Sequence, residues 1–201
     1  MDEETRLRVT ISMMGLCLLL GMVGLLGSSW QVEGDVARAS LGKIYSDVGT
    51  SSECQFIVEY LEMGECKGDM WAVSWSDMCE FDSDFCGMDT AGTVAKIFLW
   101  PGVLLSLLSL LLTVSPTMRN RWEQVKLPDR GKTILQWAPG TLILLGFVLW
   151  MLFTPSEATS AFDLGFSAYA MIMAGLLGLG STVLDNFEIN VNITRREEQS
   201  G

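Results

Sequence analysis

The sequence predicts an all-α membrane protein: a four-helix transmembrane bundle with a small, disulfide-stabilised, β-containing extracellular module between the first and second spans. Three observations predict it. The 201-residue chain has a mean hydropathy of +0.34 and is 49% hydrophobic. Its charges leave four blocks untouched, Val9 to Val32, Ile97 to Met118, Thr133 to Ser156 and Leu164 to Leu184. Four of its five cysteines fall within the acidic stretch from Glu53 to Cys86.

The blocks are justified first. A helix needs about 20 apolar residues to cross ~30 Å of hydrocarbon, and each block has at least 21. Backbone groups within lipid must bond inside their own segment, so the blocks should be helices. Four buried helices of a soluble bundle would carry polar outer faces, and these have none. The division expected is a leader 1–8, a first span 9–30, an outer module 31–91 and a second span 92–115. A basic loop 116–132, a third span 133–153, a short outer loop 154–163, a fourth span 164–184 and a tail 185–201 follow.

The first block is read as a retained span rather than a cleaved signal peptide. Its apolar run is too long for an h-region, and the leader MDEETRLR puts three acids before its arginines. Gly21, Gly24 and Ser28 form a small-residue face on it, as Ala170, Ala174 and Gly178 do on the fourth span. Such faces let helix backbones approach closely, within this bundle or against a second copy. Pro101 and Pro139 are expected early in their spans, where a missing amide donor does least harm. Trp30, Trp100, Trp137 and Trp150 fall near span ends and read as anchors at the membrane interface. Cys17, in mid-span, reads as a small packing residue.

Charge sets the orientation. The loop between the second and third spans carries Arg119, Arg121, Lys126, Arg130 and Lys132; the leader adds Arg6 and Arg8, the tail Arg195 and Arg196. Nine of the thirteen basic residues thus share one side, which the positive-inside rule makes cytoplasmic, with both termini. The sequon at Asn192 then faces the cytoplasm and is a chance match. The location expected is a cell membrane.

Residues 31–91 hold thirteen Asp and Glu against Arg38, Lys43 and Lys67, a net of −10. Such a segment repels nucleic acid. On the outer face it meets oxidising conditions, so Cys54, Cys66, Cys79 and Cys86 read as two disulfides, in any of three connectivities. Bridges stabilise a module too small for a core of its own, by about 2–4 kcal/mol each. Phe56, Val58 and Tyr60 alternate, as do Trp71, Val73 and Trp75. A hairpin turning through MGECKGD would set 60 opposite 71, 58 opposite 73 and 56 opposite 75, with Cys54 in reach of Cys79. The competing reading is a helix capped by Ser52 and Gln55, with Gly64 at its end and Phe56, Ile57, Tyr60 and Leu61 on its apolar face. The strand is preferred. Upstream, RASLGKIYSD also suits a strand, with Leu41, Lys43 and Tyr45 alternating.

Trp30 closes the first span, and Cys54 and Cys66, with eleven residues between them, stand in a large first outer loop that precedes a short second one. This arrangement resembles the claudin and peripheral-myelin-protein superfamily, in which a Trp ends the first span and Gly-Leu-Trp precedes two cysteines about a dozen residues apart. Gly49-Thr50-Ser51 stands where Gly-Leu-Trp would, and Cys79 and Cys86 lie outside the family pattern. The resemblance implies a Cys54–Cys66 bridge, which leaves Cys79 with Cys86. Loop closure favours the same sequence-near pairs, although a straight hairpin with Cys66 in its turn would hold 54 and 66 apart.

Metal readings are weak. Asp82, Asp84 and Gly87 match positions 1, 3 and 6 of a calcium loop, but position 5 is Cys86 and position 12 is Thr93 where Glu is required. Zinc would need CxxC or His, and the chain has neither. No metal or cofactor is expected. The blocks lack charge, and the chain lacks His, the commonest general base. The function expected is therefore non-enzymatic: an outer module that mediates contact, assembly or modulation of membrane components. Its partners would be the lipid bilayer and either a second copy or another membrane protein. The alternative is a membrane thiol-disulfide oxidoreductase, as in four-helix quinone-coupled oxidases. That chemistry usually needs a low-pKa thiol, and acidic surroundings push a thiol the other way.

Overall fold

The computed structural model describes residues 2–115, 117–118, 128–156 and 163–200, and the backbone alone for 185–200. In chain order the elements are α1 (Glu3–Leu26), β1 (Gln31–Glu33), β2 (Ala37–Ala39), β3 (Lys43–Asp47), α2 (Ser51–Leu61), β4 (Glu65–Lys67) and β5 (Met70–Ser74). There follow α3 (Trp75–Phe81), a 3-10 turn (Ser83–Phe85), α4 (Cys86–Val114), α5 (Asp129–Phe153), β6 (Asp163–Leu164) and α6 (Phe166–Ser200). Four helical stretches are long and apolar enough to cross a membrane: Glu4–Leu26, Ser83–Val114, Thr133–Phe153 and Phe166–Leu184. Most of the expected basic loop, residue 116 and residues 119–127, lies outside the described residues, as do residues 157–162 of the short second loop.

The long helices form a closed ring in which each packs on its neighbours in sequence: α1 on α4, α4 on α5, α5 on α6, and α6 back on α1. This is the up-and-down arrangement that antiparallel neighbours favour. Small residues fill the seams. A Cβ on Gly140 would lie 2.6 Å from the Leu179 nitrogen, and one on Gly178 would lie 3.0 Å from the Gly140 Cα, so α5 and α6 meet backbone to backbone. Outside the ring the pattern is inverted relative to a water-soluble protein. Leu19, Ile97, Leu104, Leu145, Leu152 and Leu176 are all exposed, a continuous apolar exterior that water would not tolerate.

Several boundaries move. The first helix ends at Leu26, four residues before Trp30, because Gly27-Ser28-Ser29 favours helix poorly and the chain turns extended at Gly27. The second begins at Cys86, six residues before the expected start of its span, and the third at Asp129. Pro101 and Pro139 therefore sit inside their helices rather than in the first turn. Each leaves the carbonyl four residues earlier without its helical donor.

The strands form one antiparallel sheet in the order β4-β5-β3-β2-β1-β6. β6 comes from the segment between α5 and α6, so both loops at this end of the bundle build the module. The expected single strand through RASLGKIYSD is two strands, β2 and β3, folded back at Ser40-Leu41-Gly42. The preferred strand over 56–60 is a helix. Thr50, two residues upstream of the expected cap, accepts a hydrogen bond from the Glu53 amide, while its hydroxyl donates to the Glu53 carboxylate at 2.7 Å. This reciprocal box begins the helix earlier than Ser52 and Gln55 would. Cys54 is fully buried, with Ile57, Val58 and Leu61 half-buried beside it, and that 3.6-residue period overrode the weaker two-residue one. Phe56 and Tyr60 point outward and stack on each other at 6.1 Å. The hairpin instead joins β4 to β5 through Gly68-Asp69, pairing 66 with 71 and 67 with 70, so 60 does not oppose 71.

Candidate functional site

The sheet-and-helix module at one end of the bundle is the part of the chain rich in polar chemistry, and two disulfides brace it. Cys54 on α2 bonds Cys66 on β4, with Cα atoms 5.9 Å apart. Cys79 on α3 bonds Cys86 at the start of α4, with Cα atoms 4.5 Å apart. The pairing follows from the fold: α2 lies against β4 and β5, and the 3-10 turn brings α3 back to the head of α4. Cys17 is a buried free thiol in α1, 3.5 Å from the Ser106 hydroxyl.

Two of the four tryptophans expected as interface anchors are core residues instead. Trp30 is fully buried; its indole donates to the Gly24 carbonyl at 2.6 Å, and its ring stacks on Phe147 and meets Trp150 edge-on at 4.8 Å. Trp150 is buried with it. The reason is the early end of α1: Trp30 lies at the head of the sheet, where the chain folds inward over the bundle. Trp100 and Trp137 are 44% and 36% exposed.

The small-residue faces point into the bundle. Gly21 faces Val103 and Ala174, and Gly24 faces Met171 and the Ser167 carbonyl. Ala170 and Ala174 are buried, Gly178 faces Gly140 and Cys17, and Ser28 is half-buried. Of the two readings weighed for these residues, packing within one bundle accounts for the contacts observed.

The module is seated on the bundle by close contacts that sequence reading missed. Leu41, in the β2–β3 turn, packs in the same apolar core as Trp30, Leu99 and Trp150. A Cβ on Gly92 of α4 would lie 1.9 Å from the Leu41 carbonyl oxygen, so only glycine lets the turn settle there. The Gly165 amide donates to the Trp30 carbonyl and the Ser167 amide to the Ser29 carbonyl. A second, smaller core joins Ala39 of β2, Trp75 of α3 and Met88 of α4. The Trp75 indole donates to the Ser40 carbonyl at 3.0 Å. The sequence signal for this junction was faint: a two-residue strand carries no visible alternation, and a lone glycine after an alanine reads as ordinary span composition.

On the sheet's outer edge, the Lys43 ammonium donates to the Glu65 carboxylate at 2.7 Å, with Lys67 at 3.5 Å from the same oxygen. The Lys43 hydrogen bond holds the Glu65 carboxyl below its usual range, and the same bond pushes Lys43 up. The pair is exposed and screened by salt, so it adds little to stability. At the calcium-like sequence, the Asp82 carboxylate accepts from the Asp84 amide and so caps the 3-10 turn. Among the described residues no three carboxylate or thiol groups converge as a metal site.

Comparison of the chain with models of protein families finds no match, and comparison with characterised proteins finds none either.

Proposed function

We propose that this is a multi-pass protein of a cell membrane, with both termini in the cytoplasm, whose outer disulfide-braced module mediates contact with, or assembly or modulation of, other membrane components without catalysing a reaction. The observation that carries this reading is the division of the molecule's exterior. Four apolar helices expose large hydrophobic side chains on all sides, and at one end of their ring sits a sheet-and-helix module with a net charge of −10 over residues 31–91. A body of that kind suits lipid, and a head of that kind suits water and a protein partner. At about 1.5 Å per residue, the 29-residue α4 is ~44 Å long, more than the ~30 Å of hydrocarbon. The excess of ~14 Å, about nine residues at that rise, is consistent with Asp89 lying at the level of the head. Kinship with the claudin and peripheral-myelin-protein superfamily is part of the proposal; the Cys54–Cys66 bond, the four apolar helices and the antiparallel sheet support it.

The test is labelling of single introduced cysteines, in a background without the native ones, by an impermeant reagent applied to intact cells. Position 59, exposed on α2, should react from outside. Position 125 should react only after permeabilisation. Labelling of 125 from outside overturns the orientation.

A further inference from the structure

Between α2 and α3 the module carries an open groove of about 630 Å³, lined by Val58, Glu62, Met63, Gly64, Asp77, Glu80 and Phe81. Its floor is apolar and its rim is acidic. Phe81 is 68% exposed, and its ring stacks on no other aromatic among the described residues. Glu62 and Glu80 make no ion pair among the described residues. Asp77 is felt by Lys43, but that ammonium is already bound to Glu65. An exposed aromatic ring beside carboxylates that make no ion pair among the described residues is a surface complementary to a cationic partner.

We propose that this groove docks a cationic, partly apolar segment of another protein's outer surface, one that carries at least two Arg or Lys residues among aliphatic neighbours. The proposal rests on the outer placement of the module and names the surface and partner chemistry for that reading. Charge and shape select this occupant. The carboxylates do not converge on a metal geometry, so they suit charges spread along a chain rather than one ion. The aliphatic stem of an Arg or Lys can lie along Val58, Met63 and Phe81 while its head meets the rim. The exposed ring of Phe81 adds a cation–π surface, and charge-assisted hydrogen bonds to Glu62 and Glu80 fix the register. A second copy docking through the same face would set acid against acid, and anionic lipid headgroups would be repelled.

The experiment uses the full chain in detergent and in oriented vesicles, with acetyl-(Arg-Leu)4-amide as probe and (Glu-Leu)4 as its charge-reversed control. The first peptide should bind the full chain in detergent and the second should not. The triple variant Glu62→Gln, Asp77→Asn, Glu80→Gln should lose tenfold or more in affinity, and Phe81→Ala alone should weaken binding severalfold. Removal of equal charge elsewhere, by Glu33→Gln, Asp35→Asn and Asp69→Asn, should change it by less than twofold. Intact disulfides in each variant, checked by mass spectrometry, show that the module is folded. Equal losses in the two triple variants overturn the groove, because binding is then general attraction to an acidic head. Absence of binding by the wild-type chain in detergent overturns it as well. Binding in detergent and to inside-out vesicles, but not to right-side-out ones, leaves the groove standing and overturns the outward orientation.

Discussion

Gly92 shows how one side chain, or its lack, places a whole element. Its α-carbon faces the Leu41 carbonyl so closely that a methyl group there would sit 1.9 Å from the oxygen. Neither partner can yield, since one is the backbone of a 29-residue helix and the other a turn between two paired strands. Gly92→Ala should therefore cost about 1–3 kcal/mol, the usual range for overpacking a tight contact. Gly15 is the internal control: a Cβ there meets nothing within 4 Å. Gly15→Ala should be neutral or slightly stabilising, because alanine favours helix by up to about 1 kcal/mol. Thermal unfolding of the two variants in detergent, followed by tryptophan fluorescence, checks both; equal stability of the two would remove the close approach as a cause. At this scale the sequence was legible where chemistry is local. The cysteines announced two bridges by their number and their clustering in one polar segment. Trp30 was legible as a landmark and misread as an anchor, because its burial is set by Phe147 and Trp150, 117 and 120 positions away.

Elements were legible in proportion to their length. Four uncharged blocks marked the four long helices, whose apolar content could satisfy no other structure in lipid. The short elements of the module were harder, because strands of two to five residues hold barely one period of alternation. In α2 the helix prevailed over the strand through its Thr50–Glu53 cap and the inward set around Cys54. The Cys54–Cys66 bond then ties that helix to β4, one of the two edge strands of the sheet. Its removal should loosen one corner rather than the whole module. Cys54→Ser with Cys66→Ser should cost about 2–4 kcal/mol locally and expose the segment from Gly49 to Asp69 to protease added from outside. The strands β1, β2 and β6 should stay protected, since their backbone bonds do not pass through that corner. Mapping the first cleavage sites by mass spectrometry decides it. Cuts that begin in residues 31–47 would show that the bridge holds the entire sheet.

The whole molecule does not divide where its composition divides. Charge and hydropathy separate a polar segment, 31–91, from four apolar ones, and a bundle able to form without its head is what that pattern suggests. The contacts tie them together. Trp30, Leu41, Leu99 and Trp150 share one core across that line. The amides of Trp30, Gly165 and Ser167 close a short ladder from β2 through the end of the first span to the start of α6. The segment between α5 and α6 supplies a strand to a sheet built mainly by residues 31–74. This junction was not legible because it depends on ring closure, which sets residue 30 beside residue 165, and no local period records that. The consequence is cooperative unfolding. Insertion of each span should not need the module, since an apolar helix of this length is stable in lipid by itself; packing of the spans against one another should. Trp30→Ala removes a fully buried ring, its two aromatic contacts and its bond to Gly24. It should cost about 3–5 kcal/mol, and the loss should appear in head and bundle together. Protease resistance of the module and helix–helix packing, read by crosslinking a cysteine pair engineered across the α1–α6 seam, should fail over the same temperature range in wild type and variant alike, as two probes of one transition do. A module that melts well before the seam opens would mean that head and bundle are separate folding units, and the shared core would then be a contact formed after each has folded.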